Sequence, residues 1–155
     1  MHLTVTEMEQ RLVERLSAAR FPEANDIAWA TAWLEACGYT GVKYLKEALS
    51  DERKTLTLER DALGIDLQNV SCAFLAPSVM REVSANGRAF LRNVRHGLYL
   101  LPFTVKAGIG IGCPIDPGFA VGGERHRNPY GEKLALAEAN GINIDDAMWS
   151  AVAPA

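Results

Sequence analysis

Between Asn86 and Gly123 the chain reads NGRAFLRNVRHGLYLLPFTVKAGIGIGCPIDPGFAVGG, and no other stretch constrains the fold as strongly. Gly108, Gly110 and Gly112 alternate strictly with larger residues, the two-residue period of a strand with one face bare of side chains. Arg88–Val94 and Leu98–Val105 flank Arg95-His96-Gly97, a short glycine-containing loop of the kind that closes a hairpin. Pro102 has no N–H to give to a ladder, so the second arm is expected to be an edge strand or to break there. Cys113-Pro-Ile-Asp-Pro-Gly118 then turns twice. Upstream, Asn69–Leu75 is rich in strand formers and bounded by Pro77. A small, mainly antiparallel sheet over residues 69–112 is the expectation.

Helical patterns lie on either side. Thr4 and Glu7 form a capping box, with Thr6 and Glu9 as a competing frame, ahead of Val5, Met8, Leu12, Val13 and Leu16 at helical spacing. Pro22, Glu23 and Asp26 open a second, alanine-rich helix that carries Trp29 and Trp33 and stops at Cys37-Gly38. Gly41–Leu49 reads as a third, with Val42, Leu45 and Leu49 on one face. Residues 55–67 fit either a strand or one helical turn with Gly64 as its cap. Ser78 starts a helix that Asn86-Gly87 ends, and Pro129 starts one that Asn140-Gly141 ends. Asn143 or Asp145 can cap a last helix bearing Met148, Trp149 and Val152.

With 155 residues and 48% hydrophobic content, the chain suits one domain, residues 1–155. Within it the helical part spans 1–50, the β-rich part 69–123 and the C-terminal helices 128–155. The expected class is α+β, helices at both termini packed on the sheet. The three cysteines, Cys37, Cys72 and Cys113, form no CxxC pair, which argues against a zinc ribbon or a disulfide framework. The opening MHLTVTEMEQ lacks a basic region followed by an apolar one, and no apolar run approaches the ~20 residues that span a bilayer. A cytoplasmic address without membrane contact is expected. The net charge of −3 does not suggest nucleic-acid binding. It is unevenly placed: residues 67–127 hold 7 Lys/Arg against 3 Asp/Glu, whereas residues 1–66 hold 8 against 12.

That basic middle supplies the candidate site. Arg88, Arg92 and Arg95, with Arg125 and Arg127, are candidates to bind a carboxylate or phosphate, which a planar guanidinium recognises by paired donors. The alternative is that they are solvated or pair with the acidic helices. Cys113 is a candidate nucleophile if His96 or His126 lies beside it as base; otherwise it is a buried, inert thiol. The GxGxG at 108–112 is not a dinucleotide fingerprint, since cysteine and proline follow where a helix should open. No metal-ligand spacing is present, and no cofactor is expected.

The segment Cys37-Gly-Tyr-Thr-Gly-Val-Lys-Tyr-Leu45, after a Val-Thr start and an alanine-rich second helix, resembles the N-terminal part of the type-2 malate/L-lactate dehydrogenases, dimeric NAD-dependent enzymes outside the Rossmann class. Their Ser-His-Gly-Val-x-Arg-Leu segment places the family histidine on Thr40 and its substrate-clamping arginine on Tyr44. The resemblance, which covers about a third of the chain, implies a trimmed relative that keeps Gly41, Val42 and Leu45 as packing residues and lacks the hydride-transfer groups. It also implies a homodimer. Taken together, the residues lead to an expected non-enzymatic domain that contacts a small anionic ligand or an acidic protein surface. The alternatives are a small enzyme built on Cys113 and a vestigial NAD-linked oxidoreductase.

Overall fold

The structure, a computed structural model, describes residues 1–87, 89–108 and 130–153. The fold is α+β, and the chain divides into two compact units: Met1–Ser50 with Glu124–Ala155, and Asp51–Gly123. Each has its own small sheet. Among the described residues, two of the three strand pairings are antiparallel.

In the first unit, α1 (Val5–Ala18) starts on the Thr4 frame. Thr4 Oγ1 accepts from Glu7 N–H at 3.0 Å and Glu7 Oε2 accepts from Thr4 N–H at 3.0 Å, satisfying two amides that a helix start leaves without partners. Met8, Leu12 and Leu16 form its buried stripe against α2 (Ala24–Ala36). Ala28, Ala30 and Ala32 are buried too, so α2 is enclosed on several faces, as small side chains permit. Trp33 stacks at a tilt on Tyr130, with ring centroids 5.0 Å apart, so this tryptophan is used for packing within the unit. Gly38, at φ +85°, ends the helix.

Helix α3 (Gly41–Ser50) packs on α2. A Cβ on Gly41 would sit 2.9 Å from both Thr31 O and Leu34 Cβ, so glycine permits this approach. Glu35 Oε1 accepts from Val42 N–H at 2.9 Å, placing a carboxylate on the positive end of α3. Burial raises the Glu35 carboxyl above its ordinary range, and the Val42 bond opposes that rise. Helices α6 (Gly131–Asn140) and α7 (Asp146–Val152) pack on α2 and α3 respectively. Asp145 caps α7 through Met148 N–H at 2.9 Å. The short strands β1 (His2–Leu3) and β5 (Ile142–Asn143) pair antiparallel.

In the second unit, β2 (Arg60–Asp61) turns tightly into β3 (Gly64–Asp66), and β4 (Leu91–Arg92) lies parallel to β3 on its other side. The hairpin expected around Arg95-His96-Gly97 does not form. Helix α4 (Cys72–Asn86) is the crossover between the parallel strands, and Leu98–Val105 belongs to a 3-10 turn (Gly97–Tyr99) and to α5 (Leu100–Ala107). Pro102 fits because it falls in the first turn of α5, where its missing N–H would have no helical partner. The strand expected at Asn69–Leu75 and the helix expected from Ser78 are corrected together. A single helix capped by Ser71 runs through Pro77, and its continuous apolar run is buried around the axis, from Cys72 to Pro77 and on to Val79 and Val83. Residues 55–59 are irregular, and the turn at Ala62-Leu63 joins strands where a helical turn was the other option. The expected strand at 107–112 and the helix start at Pro129 lie largely outside the described residues.

The parallel pairing extends past the strands. Ile65 N–H donates to Phe90 O at 2.7 Å, Leu67 to Arg92 O at 2.9 Å, Asn69 to Asn93 O at 3.0 Å and Cys72 to Arg95 O at 2.8 Å. Gly64, at φ +112°, allows it to begin, because a Cβ there would lie 2.2 Å from Phe90 O. Gly64→Ala is therefore expected to destabilise the unit by about 3 kcal/mol or more, combining backbone strain with a clash against fixed backbone. Gly87→Ala, at φ +82° with nothing near its Cβ among the described residues, should cost about 1 kcal/mol. Chemical denaturation of both variants checks this; equal losses would contradict it.

Candidate functional site

Alternation along the three strands sorts their side chains onto two faces. Ile65 and Leu91 are register partners and both are buried. On the same side Arg60 reaches toward Glu82 of α4, 3.9 Å away. The opposite face carries Asp66 and its register partner Arg92, with Asp61 across from Gly64. Asp66 and Arg92 are the last residues of the two parallel strands. Above this polar face lies a cavity of about 730 Å³. The irregular segment before β2 contributes Arg53, Thr55, Leu56, Thr57 and Glu59, the sheet contributes Asp61, Asp66 and Arg92, and Gln68 closes the edge.

The charges in this cavity are not all spent on one another. Arg92 Nη2 donates to Asp61 Oδ2 at 2.9 Å, while Asp61 Oδ1 accepts from Leu63 N–H at 2.8 Å. Asp66 Oδ1 accepts from Gln68 N–H and from Asn93 Nδ2, each at 2.9 Å. These two bonds, the Asn93 one foremost, together with the nearby Arg92 charge, hold the Asp66 carboxyl below its ordinary range. Both donors come from residues with left-handed backbone, Gln68 at φ +51° and Asn93 at φ +53°, and Asn69 at φ +59° joins them. Such conformations cost about 1–3 kcal/mol each and persist where surrounding bonds fix them. Arg53 and Glu59 form no hydrogen bond or ion pair among the described residues. Arg92 Nε is shielded from solvent and also has no acceptor among them.

Of the arginines expected to bind a ligand, Arg92 is in the cavity. Arg95 is not: its Nε and Nη2 donate to the two oxygens of Asp51 at 3.0 Å each, a fork that ties the start of the unit to the loop after β4. Arg88, Arg125 and Arg127 lie outside the described residues, as do Cys113 and His126. His96 Nδ1 lies 2.6 Å from Ser71 Oγ, but Ser71 is fully buried and its hydroxyl accepts from Ala73 N–H at 3.0 Å. This serine caps α4; it is not an exposed nucleophile. Cys72 N–H is taken by Arg95 O, so the first amides of α4 are occupied as well.

Cys37 and Cys72 are buried and form no disulfide. Burial pushes the Cys37 thiol up to about 11, with Lys133 pulling the other way, and burial together with the hydrogen bond that the Tyr130 hydroxyl gives to Tyr39 raises Tyr130 beside it. These groups form a packed aromatic cluster. Thr40 and Tyr44, where the dehydrogenase resemblance places histidine and arginine, lie at the start of α3 and within it. No group of three or more His, Cys, Asp or Glu suited to a metal occurs among the described residues, and no helix of theirs is long and apolar enough to cross a membrane. A second hollow, about 710 Å³, is lined by Met80, Ala85 and Phe103 among others, and is more apolar than the first.

Comparison with family models, curated proteins and solved structures finds no match to this chain.

Sequence reasoning missed Arg53, Glu59, Asp61, Asp66 and Gln68. The usable signal was Asp66-Leu-Gln68, an aspartate able to accept from the amide two residues on. Because the folded state holds Asp66 ionised below its ordinary value of 3.8, its contribution is present above that pH and is lost as pH falls through the depressed value. The melting temperature of Asp66→Asn is thus expected below that of the parent at pH 7, with the gap closing below about pH 4. A gap that stays constant across the titration would contradict the Asp66 assignment.

Proposed function

We propose that this chain is a binding domain for a small polar ligand that carries a carboxylate or phosphate, held on the polar face of β2, β3 and β4. The observation that carries the reading is the guanidinium of Arg53, which lines a cavity of ligand size without a carboxylate partner among the described residues. Arg92 Nε adds a second donor, since a buried N–H with no acceptor costs about 1–3 kcal/mol and a bound anion would satisfy it. Three carboxylates line the same cavity, which disfavours an acidic protein surface as the occupant and favours a small molecule that can place its anionic end selectively.

Calorimetric titration with a panel of small carboxylates and phosphates, with and without amino groups, tests this. At least one is expected to bind with one-to-one stoichiometry. Arg53→Ala should weaken it by about 1.5–3 kcal/mol, or roughly 10–100-fold, the worth of a charge-assisted hydrogen bond. Failure of every member to bind, or unchanged affinity in Arg53→Ala, would overturn the reading.

A further inference from the structure

The cavity holds more than cations. Two of its three carboxylates are engaged: Asp61 by Arg92 and the Leu63 amide, Asp66 by the Gln68 amide and Asn93. Glu59 is the third, and it has no partner among the described residues. Arg53 and Glu59 thus line one cavity, carry opposite full charges, and do not pair with each other. A purely anionic ligand would satisfy Arg53 and leave Glu59 beside an added negative charge. A purely cationic ligand would do the reverse to Arg53 and Arg92. Only a ligand with both charges, set apart, answers both.

We propose, resting on the binding reading above, that the ligand is a small zwitterion, its carboxylate on Arg53 and Arg92 Nε and its ammonium on Glu59. The cavity is also lined by Thr55, Thr57 and Gln68, whose hydroxyl and amide groups can pair with a polar, amide-bearing backbone. A short peptide with free termini has this chemistry: one ammonium, one carboxylate, and peptide groups in between.

The test is calorimetric titration of the full chain with three matched probes: Ala-Ala-Ala with free termini, the same peptide N-acetylated, and the same peptide C-amidated. The free peptide is expected to bind at least about tenfold more tightly than either blocked form, since each block removes one charge-assisted contact. In Glu59→Gln the advantage over the acetylated peptide should vanish while the advantage over the amide remains. If the acetylated peptide matches the free one in the parent protein, the site reads the anion alone; the zwitterion claim falls and the binding reading stands. If the amide matches the free peptide, the site reads a cation and both fall. If no peptide binds but a simple carboxylate or phosphate does, the zwitterion claim alone fails. If nothing binds, the cavity is not a ligand site.

Discussion

The second unit depends on how a parallel strand pair of only two or three residues is held. Two strands this short contribute little alone, and a parallel pair must also offset the closure of its crossover. The pairing survives because it continues past the strands, from Ile65 through Leu67 and Asn69 to Cys72 on one side and from Phe90 to Arg95 on the other. Continuing it forces Gln68, Asn69, Asn93 and His96 into left-handed backbone. The Asp66 carboxylate, bonded to Gln68 and Asn93 at once, offsets part of that strain. Arg95 fixes the far end through its fork on Asp51.

The cavity follows from the same constraint. Once Ile65 and Leu91 are buried on one face, the period of two leaves Asp66 and Arg92 on the other, and neither can move without slipping the register. Asp61 then fixes the guanidinium of Arg92. The polar face under the cavity is preorganised by bonds that also hold the unit together, while Arg53 and Glu59, on the irregular segment before β2, form no such bond among the described residues.

Legibility in the sequence tracks how local each signal is. The Thr4 box, the Gly38 and Gly141 stops and the Asp145 cap are set by residues within one or two turns, and the structure bears them out. The α+β class was legible for the same reason. The continuous apolar run into Pro77 was not, because a buried helix and a buried strand share that pattern. The Leu98–Val105 segment was misread because its residues favour strands, whereas the 3-10 turn at Gly97–Tyr99 leads directly into α5 and leaves Pro102 in the first turn, where a helix tolerates it. Arg92 was legible as a cation with bidentate donors. Its partners were not, since Asp61 and Arg92 are 31 residues apart and meet only through the parallel register.

The most direct measurement is an NMR titration of the arginine Nε–H resonances with Ala-Ala-Ala. Arg53 and Arg92 line the cavity, and their Nε–H groups have no acceptor among the described residues, whereas Arg95 donates its own to Asp51. The Arg53 and Arg92 signals are expected to shift together and to saturate on one binding curve, with Arg95 unmoved. Signals that stay in place throughout, or an Arg95 shift without the other two, would contradict the assignment of this cavity as the ligand site.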